Sequence, residues 1–162
     1  MPKWLALILG RPARRYHIIL NVLSPLIQIA LIVWLAVIFR DIPEQIPTNY
    51  DFSGAVTSYG SKGLLWVMPV IGIVSDIVMW AVQLAPHDTW NTGMRVRASD
   101  RATVLGWMHD LLVEMRLAIS VMFAVISVPT ILGRAPGLVV WAAVLIFIPL
   151  ARYIVRSARL KR

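Results

Sequence analysis

The residues able to do chemistry fall into three groups. The first is a pair of lone charges, Asp76 and Arg116, set inside long apolar runs. A carboxylate at the centre of a membrane helix costs roughly 2.5 to 3.5 kcal/mol on insertion scales, so Asp76 must face protein and be paired or protonated. Asp76 lies eight residues, about 12 Å, from the inner end of its run at Leu84, and Arg116 five residues, about 8 Å, past Leu111. The depths agree, and we expect an ion pair joining the second and third runs. The second group is His109, Asp110 and Glu114, with His17, His87 and Asp88 as further members. Asp110 and Glu114, at i and i+4, share a helix face as metal-binding carboxylates do, whereas His109 is turned from it by about 100°. The spacing is not H-E-x-x-H, and the helix dipole alone favours acidic residues near a helix N-terminus. The expectation is therefore no resident metal and no other cofactor. The chain has no cysteine, which removes disulfides, thiolate ligands and cysteine nucleophiles. It also lacks a nucleotide loop, a serine-nucleophile motif and a glycine-rich phosphate cradle, so we expect no enzyme.

These groups must be positioned by membrane helices. The chain is 59% apolar, with a mean hydropathy of +0.73, against roughly 45 to 50% apolar for soluble domains. The expected fold is all-α, a four-helix transmembrane bundle with an ordered extracytoplasmic loop between helices 1 and 2. About 20 apolar residues cross the hydrocarbon core, which places spans over 17–39, 63–84, 109–132 and 138–155 within a single domain, 17–156. Residues 1–16 read as a cytoplasmic interfacial segment, 85–108 as a cytoplasmic loop, and 157–162 as a basic tail. Pro25 should kink the first span, with Ser24 or Gln28 satisfying the freed carbonyl. Ser99 or Asp100 should cap the third helix.

Lysines and arginines set the orientation. Four lie at the N-terminus, three in the second loop and five at the C-terminus, against Arg40, Lys62 and Arg134 on the other side. The positive-inside rule puts both termini in the cytoplasm. The net charge of +8 then meets anionic lipid head groups rather than nucleic acid. Trp34, Trp66 and Trp141 fall near the outer interface; Tyr16, Trp80, Trp107 and Tyr153 fall near the inner one.

The third group is the outward loop, 40–62. It exceeds the roughly 2 to 8 residues that helix connections need. Pro43 and Pro47 impose extended geometry. Asn49, Asp51, Ser53 and Gly54 favour a turn, and Tyr50, Phe52, Val56 and Tyr59 favour strands, so a short irregular hairpin is expected. Its aromatics should form its own small core, and Asp51 and Lys62 can pair across its surface.

Pro43, Ile46, Pro47, Thr48, Asn49, Tyr50, Asp51, Gly54, Tyr59 and Lys62 together resemble a loop signature, approximately P-x-x-I-P-T-H-[FW]-[ND] followed by G, an aromatic and K. It belongs to the membrane domain at the N-terminal end of the immunity proteins against the sporulation-delaying toxin of bacilli. The departure is Asn49, where that family usually has histidine; a titratable or metal-binding role of that histidine would be missing here. The likeness covers about the first half of the chain, and the second membrane domain of those proteins has no counterpart in these residues. It implies a multi-span protein of a bacterial cytoplasmic membrane, with a peptide toxin or a larger membrane protein as partner. A role as accessory subunit of a transporter or enzyme complex fits the same residues. The sequence sets no oligomeric state.

Overall fold

The computed structural model describes residues 15–51, 53–93, 95–134 and 139–160. Most of the expected N-terminal interfacial segment, Phe52, the expected start of the fourth span at Leu138, Lys161 and Arg162 lie outside the described residues. Among the described residues there are four α-helices: α1, Arg15–Ile38; α2, Val67–Leu84; α3, Arg101–Ile131; and α4, Val139–Leu160. Between α1 and α2 stands a hairpin of β1, Gln45–Tyr50, and β2, Val56–Ser61, followed by a 3₁₀ turn over Lys62–Trp66. Among the described residues, three helical stretches are long and apolar enough to cross a membrane: Arg15–Ile38, Lys62–Leu84 and Ala98–Ile131. Length and composition thus mark a multi-pass membrane protein.

The burial pattern points the same way. In α1 the buried residues are His17, Asn21, Ser24, Gln28, Leu31 and Leu35. Their spacing alternates four and three, the seam of a helix packed in a left-handed bundle. The first four are polar. Gln28 is 0% exposed while Val37, on the outer face, is 73% exposed. A water-soluble helix has the reverse arrangement, so the outer face of α1 suits lipid. The other two apolar stretches repeat the pattern, with Asp76 and Gln83 buried in α2, and His109, Asp110, Arg116, Ser120 and Ser127 buried in α3. α3 packs against each of the other helices. At 31 residues it is about 46 Å long.

Among the described residues, a cluster of buried apolar side chains lies at the hairpin end. Leu31, Leu35, Ile46, Leu65 and Ile131 form it, with Trp34, Phe39 and Trp66 packed around. One strand residue, Ile46, therefore anchors the hairpin to the bundle. The expected aromatic core of the loop is absent among the described residues, where Tyr59 is 64% exposed. A two-stranded hairpin has one face to bury, and the bundle's end already offers an apolar surface to receive it.

The hairpin is antiparallel, with register shifts on either side of Asn49. Pro47 lies opposite Tyr59, tolerated because each strand of a two-stranded sheet is an edge. At the turn, Asp51 Oδ1 accepts hydrogen bonds from Ser53 N at 2.8 Å, Ser53 Oγ at 2.6 Å and Ala55 N at 2.9 Å. Gly54 takes φ +86°, a conformation glycine adopts without steric cost. Lys62 does not reach Asp51. It pairs with Glu44 at 3.0 Å, donates to the Ile42 carbonyl at 3.2 Å and sits over the Phe39 ring.

Two further expectations are corrected. Ser24 and Gln28 bond across to other helices instead of back to the carbonyl freed by Pro25. Asp100 occupies the cap position of α3 but makes no capping hydrogen bond, because the 3₁₀ turn Ala98–Asp100 already holds it in helical geometry.

Candidate functional site

Polar side chains inside the helical seam gather into two layers. The first joins α1, α2 and α3 midway along α2. Arg116 donates to Asp76 through Nε (Oδ1, 2.7 Å) and Nη2 (Oδ2, 2.6 Å), and through Nη1 to Asn21 Oδ1 at 3.0 Å. This two-pronged contact is the strong geometry for an arginine and a carboxylate. Both side chains are 5% exposed or less. Ser24 Oγ lies 2.5 Å from Asp76 Oδ1 and 2.7 Å from Ser120 Oγ. A hydroxyl has a single proton, so Ser24 donates to the carboxylate and Ser120 donates to Ser24. Gln28 Nε2 donates to the Ser120 carbonyl at 3.2 Å. Gln28 reaches this position because α2 carries Gly72 opposite it; a Cβ there would lie 2.5 Å from Gln28 Oε1.

The second layer lies nearer the end opposite the hairpin and centres on Asp110. Its Oδ1 accepts from Tyr16 at 2.7 Å and from His17 Nε2 at 2.8 Å, and its Oδ2 accepts from Arg156 at 3.0 Å. One carboxylate thereby ties α1 and α4 to α3. The hydrogen bond assigns the His17 tautomer with its proton on Nε2. The rings of His17 and His109 lie 4.8 Å apart, and Trp90 stacks on His109 with ring centroids 6.2 Å apart. Glu114, one turn along α3, bonds Arg152 of α4 at 2.8 Å. Asp110 and Glu114 thus each take an arginine of α4 instead of converging on one point. Among the described residues, no group of three or more histidines and carboxylates is placed to hold a metal ion.

The hairpin residues serve three ends. Pro47, Thr48 and Asn49 shape β1, where Asn49 Nδ2 donates to Ser58 Oγ at 2.7 Å and Thr48 Oγ1 lies 3.0 Å from the same oxygen. Asp51 and Gly54 build the turn, and Pro43 leads into the strand. Hydrogen bonding to Ser53, then to the Ala55 amide, holds the Asp51 carboxyl below the usual carboxylate range. Ile46, Pro47 and Tyr50 of β1, Met68 of α2, and Ile126 and Thr130 of α3 line an open cavity of about 340 Å³. The Tyr50 hydroxyl is buried and has no hydrogen-bond partner among the described residues.

Sequence reasoning placed Asp76 and Arg116 at matching depths, and the structure brings them together. It missed Arg156 as a partner of Asp110; Asn21, Ser24 and Gln28, polar interruptions of the first apolar run, pack between helices as bundle polarity does. Their signal was the alternating spacing of 17, 21, 24, 28, which is a helix seam written in polar residues.

Residues 26–73 match a family model described as a domain of unknown function, DUF1648. The match runs from the middle of α1, through the hairpin, into the second turn of α2. It carries no tie to immunity proteins. No curated protein and no solved structure matches the chain.

Proposed function

We propose that this chain is a non-enzymatic, four-span protein of a bacterial cytoplasmic membrane, of immunity or sensing type. Both termini face the cytoplasm, and the hairpin presents an outward site for an antimicrobial peptide or another membrane protein. The observation that carries this reading is the cavity beneath the hairpin. It is about 340 Å³ with largely apolar walls, and it holds the one buried phenol without a partner among the described residues. A buried hydroxyl that lacks a partner forgoes a hydrogen bond worth about 1 kcal/mol, which an incoming peptide group can supply. The unpaired strand edges offer a second mode of contact, since an extended peptide can add to an exposed edge. The lysine and arginine distribution supports the orientation, and this reading takes α4 as a fourth span beside the three stretches that length and composition mark among the described residues.

The test uses cross-linking in native membranes, with a Met68→Trp variant that fills the cavity and a Tyr50→Phe variant that removes the hydroxyl. The reading expects a secreted peptide or outward-facing protein to be captured by the native chain and lost with Met68→Trp. Protection of peptide-sensitive cells should fall in parallel. Equal capture of a transporter or enzyme subunit by all three proteins would overturn it and identify an accessory subunit whose hairpin is scaffold.

A further inference from the structure

A second cavity, about 360 Å³, opens sideways between α1 and α2. Its floor is Asn21, Asp76 and Arg116, and its rim is apolar, with Leu26, Ile77 and Trp80 among the residues that line it. Leu26 and Ile77 are each more than half exposed. On a membrane helix such a rim faces lipid, so the cavity is reached from within the bilayer.

The floor selects for chemistry. A guanidinium carries five N–H donors, and the contacts of Arg116 with Asp76 and Asn21 use three of them. Among the described residues, donors therefore remain for a group that accepts hydrogen bonds. The Asp76–Arg116 pair is already neutral, and a further net charge at this depth is disfavoured. The head group of an occupant must then be an uncharged acceptor. Depth narrows the class again. Asp76 lies eight residues before the end of α2 at Leu84, about 12 Å along the helix. Phospholipid head groups stay at the interface, whereas this floor lies inside the hydrocarbon. A carbonyl-bearing ring on a long apolar tail resides at that depth.

We infer that the α1–α2 cavity binds a neutral, lipid-soluble carbonyl amphiphile of the quinone class, its carbonyl on Arg116 and its tail over the Leu26–Ile77 rim. The site is separate from the hairpin cavity and rests only on the chain's placement in a membrane.

Trp80 supplies the readout, because a quinone bound beside an indole quenches its fluorescence. The probe is a decyl-substituted benzoquinone, titrated into the full chain in phosphatidylcholine nanodiscs. Saturable quenching is expected from the native chain, with most of the saturable part lost in Trp80→Phe. A Leu26→Phe, Ile77→Phe variant narrows the mouth by changing only exposed apolar residues. It should raise the half-saturating concentration roughly tenfold or more, as misfit in an apolar pocket does. Excess decylbenzene, which has no carbonyl, should not compete. Quenching that only rises linearly, that is equal in the narrowed variant, or that survives in Trp80→Phe would overturn the proposal. Displacement by decylbenzene would also overturn it, showing that the cavity takes an apolar chain only.

Discussion

Changing Asp76 to asparagine keeps its shape and removes its charge, isolating what the buried pair contributes. Ser24 can still donate to the new amide oxygen, but Arg116 is left as an uncompensated buried cation. Breaking such a pair costs roughly 3 to 5 kcal/mol. Asp76→Asn should therefore lower the thermal midpoint clearly in detergent, and Asp76→Asn with Arg116→Gln should recover much of the loss; an unchanged melting profile in the single variant would refute the pair's structural role. Asp51 behaves differently because it is exposed. Its folded pKa lies below the ordinary value of 3.8, so the turn is stabilised above that value and loses this contribution as pH falls through the lower, folded pKa. Amide exchange at Ser53 and Ala55 should quicken over that acid range beyond the intrinsic pH trend, and Asp51→Ala should abolish the excess. The Asp76–Arg116 pair was legible from depth alone, since two opposite charges inside apolar runs have few other partners. The Asp51 turn was legible as a turn but not as a three-donor cap, because its acceptor geometry depends on the strand register.

The elements cohere through polar seams, and their weakest tolerance is for added volume. Gly72 marks the closest approach of α2 to Gln28. Gly72→Val should cost about 1 to 3 kcal/mol by overpacking, and adding Gln28→Ala should restore part of it; full stability of Gly72→Val alone would mean that the helices do not approach so closely. On α4, Arg152 and Arg156 hold Glu114 and Asp110. Arg156→Gln should loosen α4 selectively, increasing its proteolysis or exchange while leaving the hairpin unchanged, and equal loosening of both would show that Asp110 does not act through α4. Helix positions were readable from apolar length, and the hairpin from its prolines and turn residues. What packs inside the hairpin was not readable, because Tyr50 and Tyr59 have the right types for a core while the bundle's Leu31, Leu35 and Leu65 compete for the same face. Equally, Asp110 and Glu114 share a helix face in sequence, but which arginines reach them depends on how α4 lies across α3.

At the scale of the whole molecule, the described residues form a bundle with polar layers inside its helical seam, an apolar exterior, a hairpin seated on an apolar core at one end, and histidines, carboxylates and arginines near the other. That inversion explains why composition alone announced a membrane protein while function stayed hidden: the apolar residues report the solvent, and the few polar ones report the packing. The absence of cysteine makes the arrangement open to direct test. Single Asn49→Cys, Asn91→Cys and Ile29→Cys variants would be exposed to a membrane-impermeant thiol reagent in intact cells and again after permeabilisation. The account predicts that Asn49→Cys labels from outside, Asn91→Cys only after permeabilisation, and Ile29→Cys, on the lipid-facing side, in neither case. Labelling of positions 49 and 91 from the same side, or ready labelling of position 29, would contradict it.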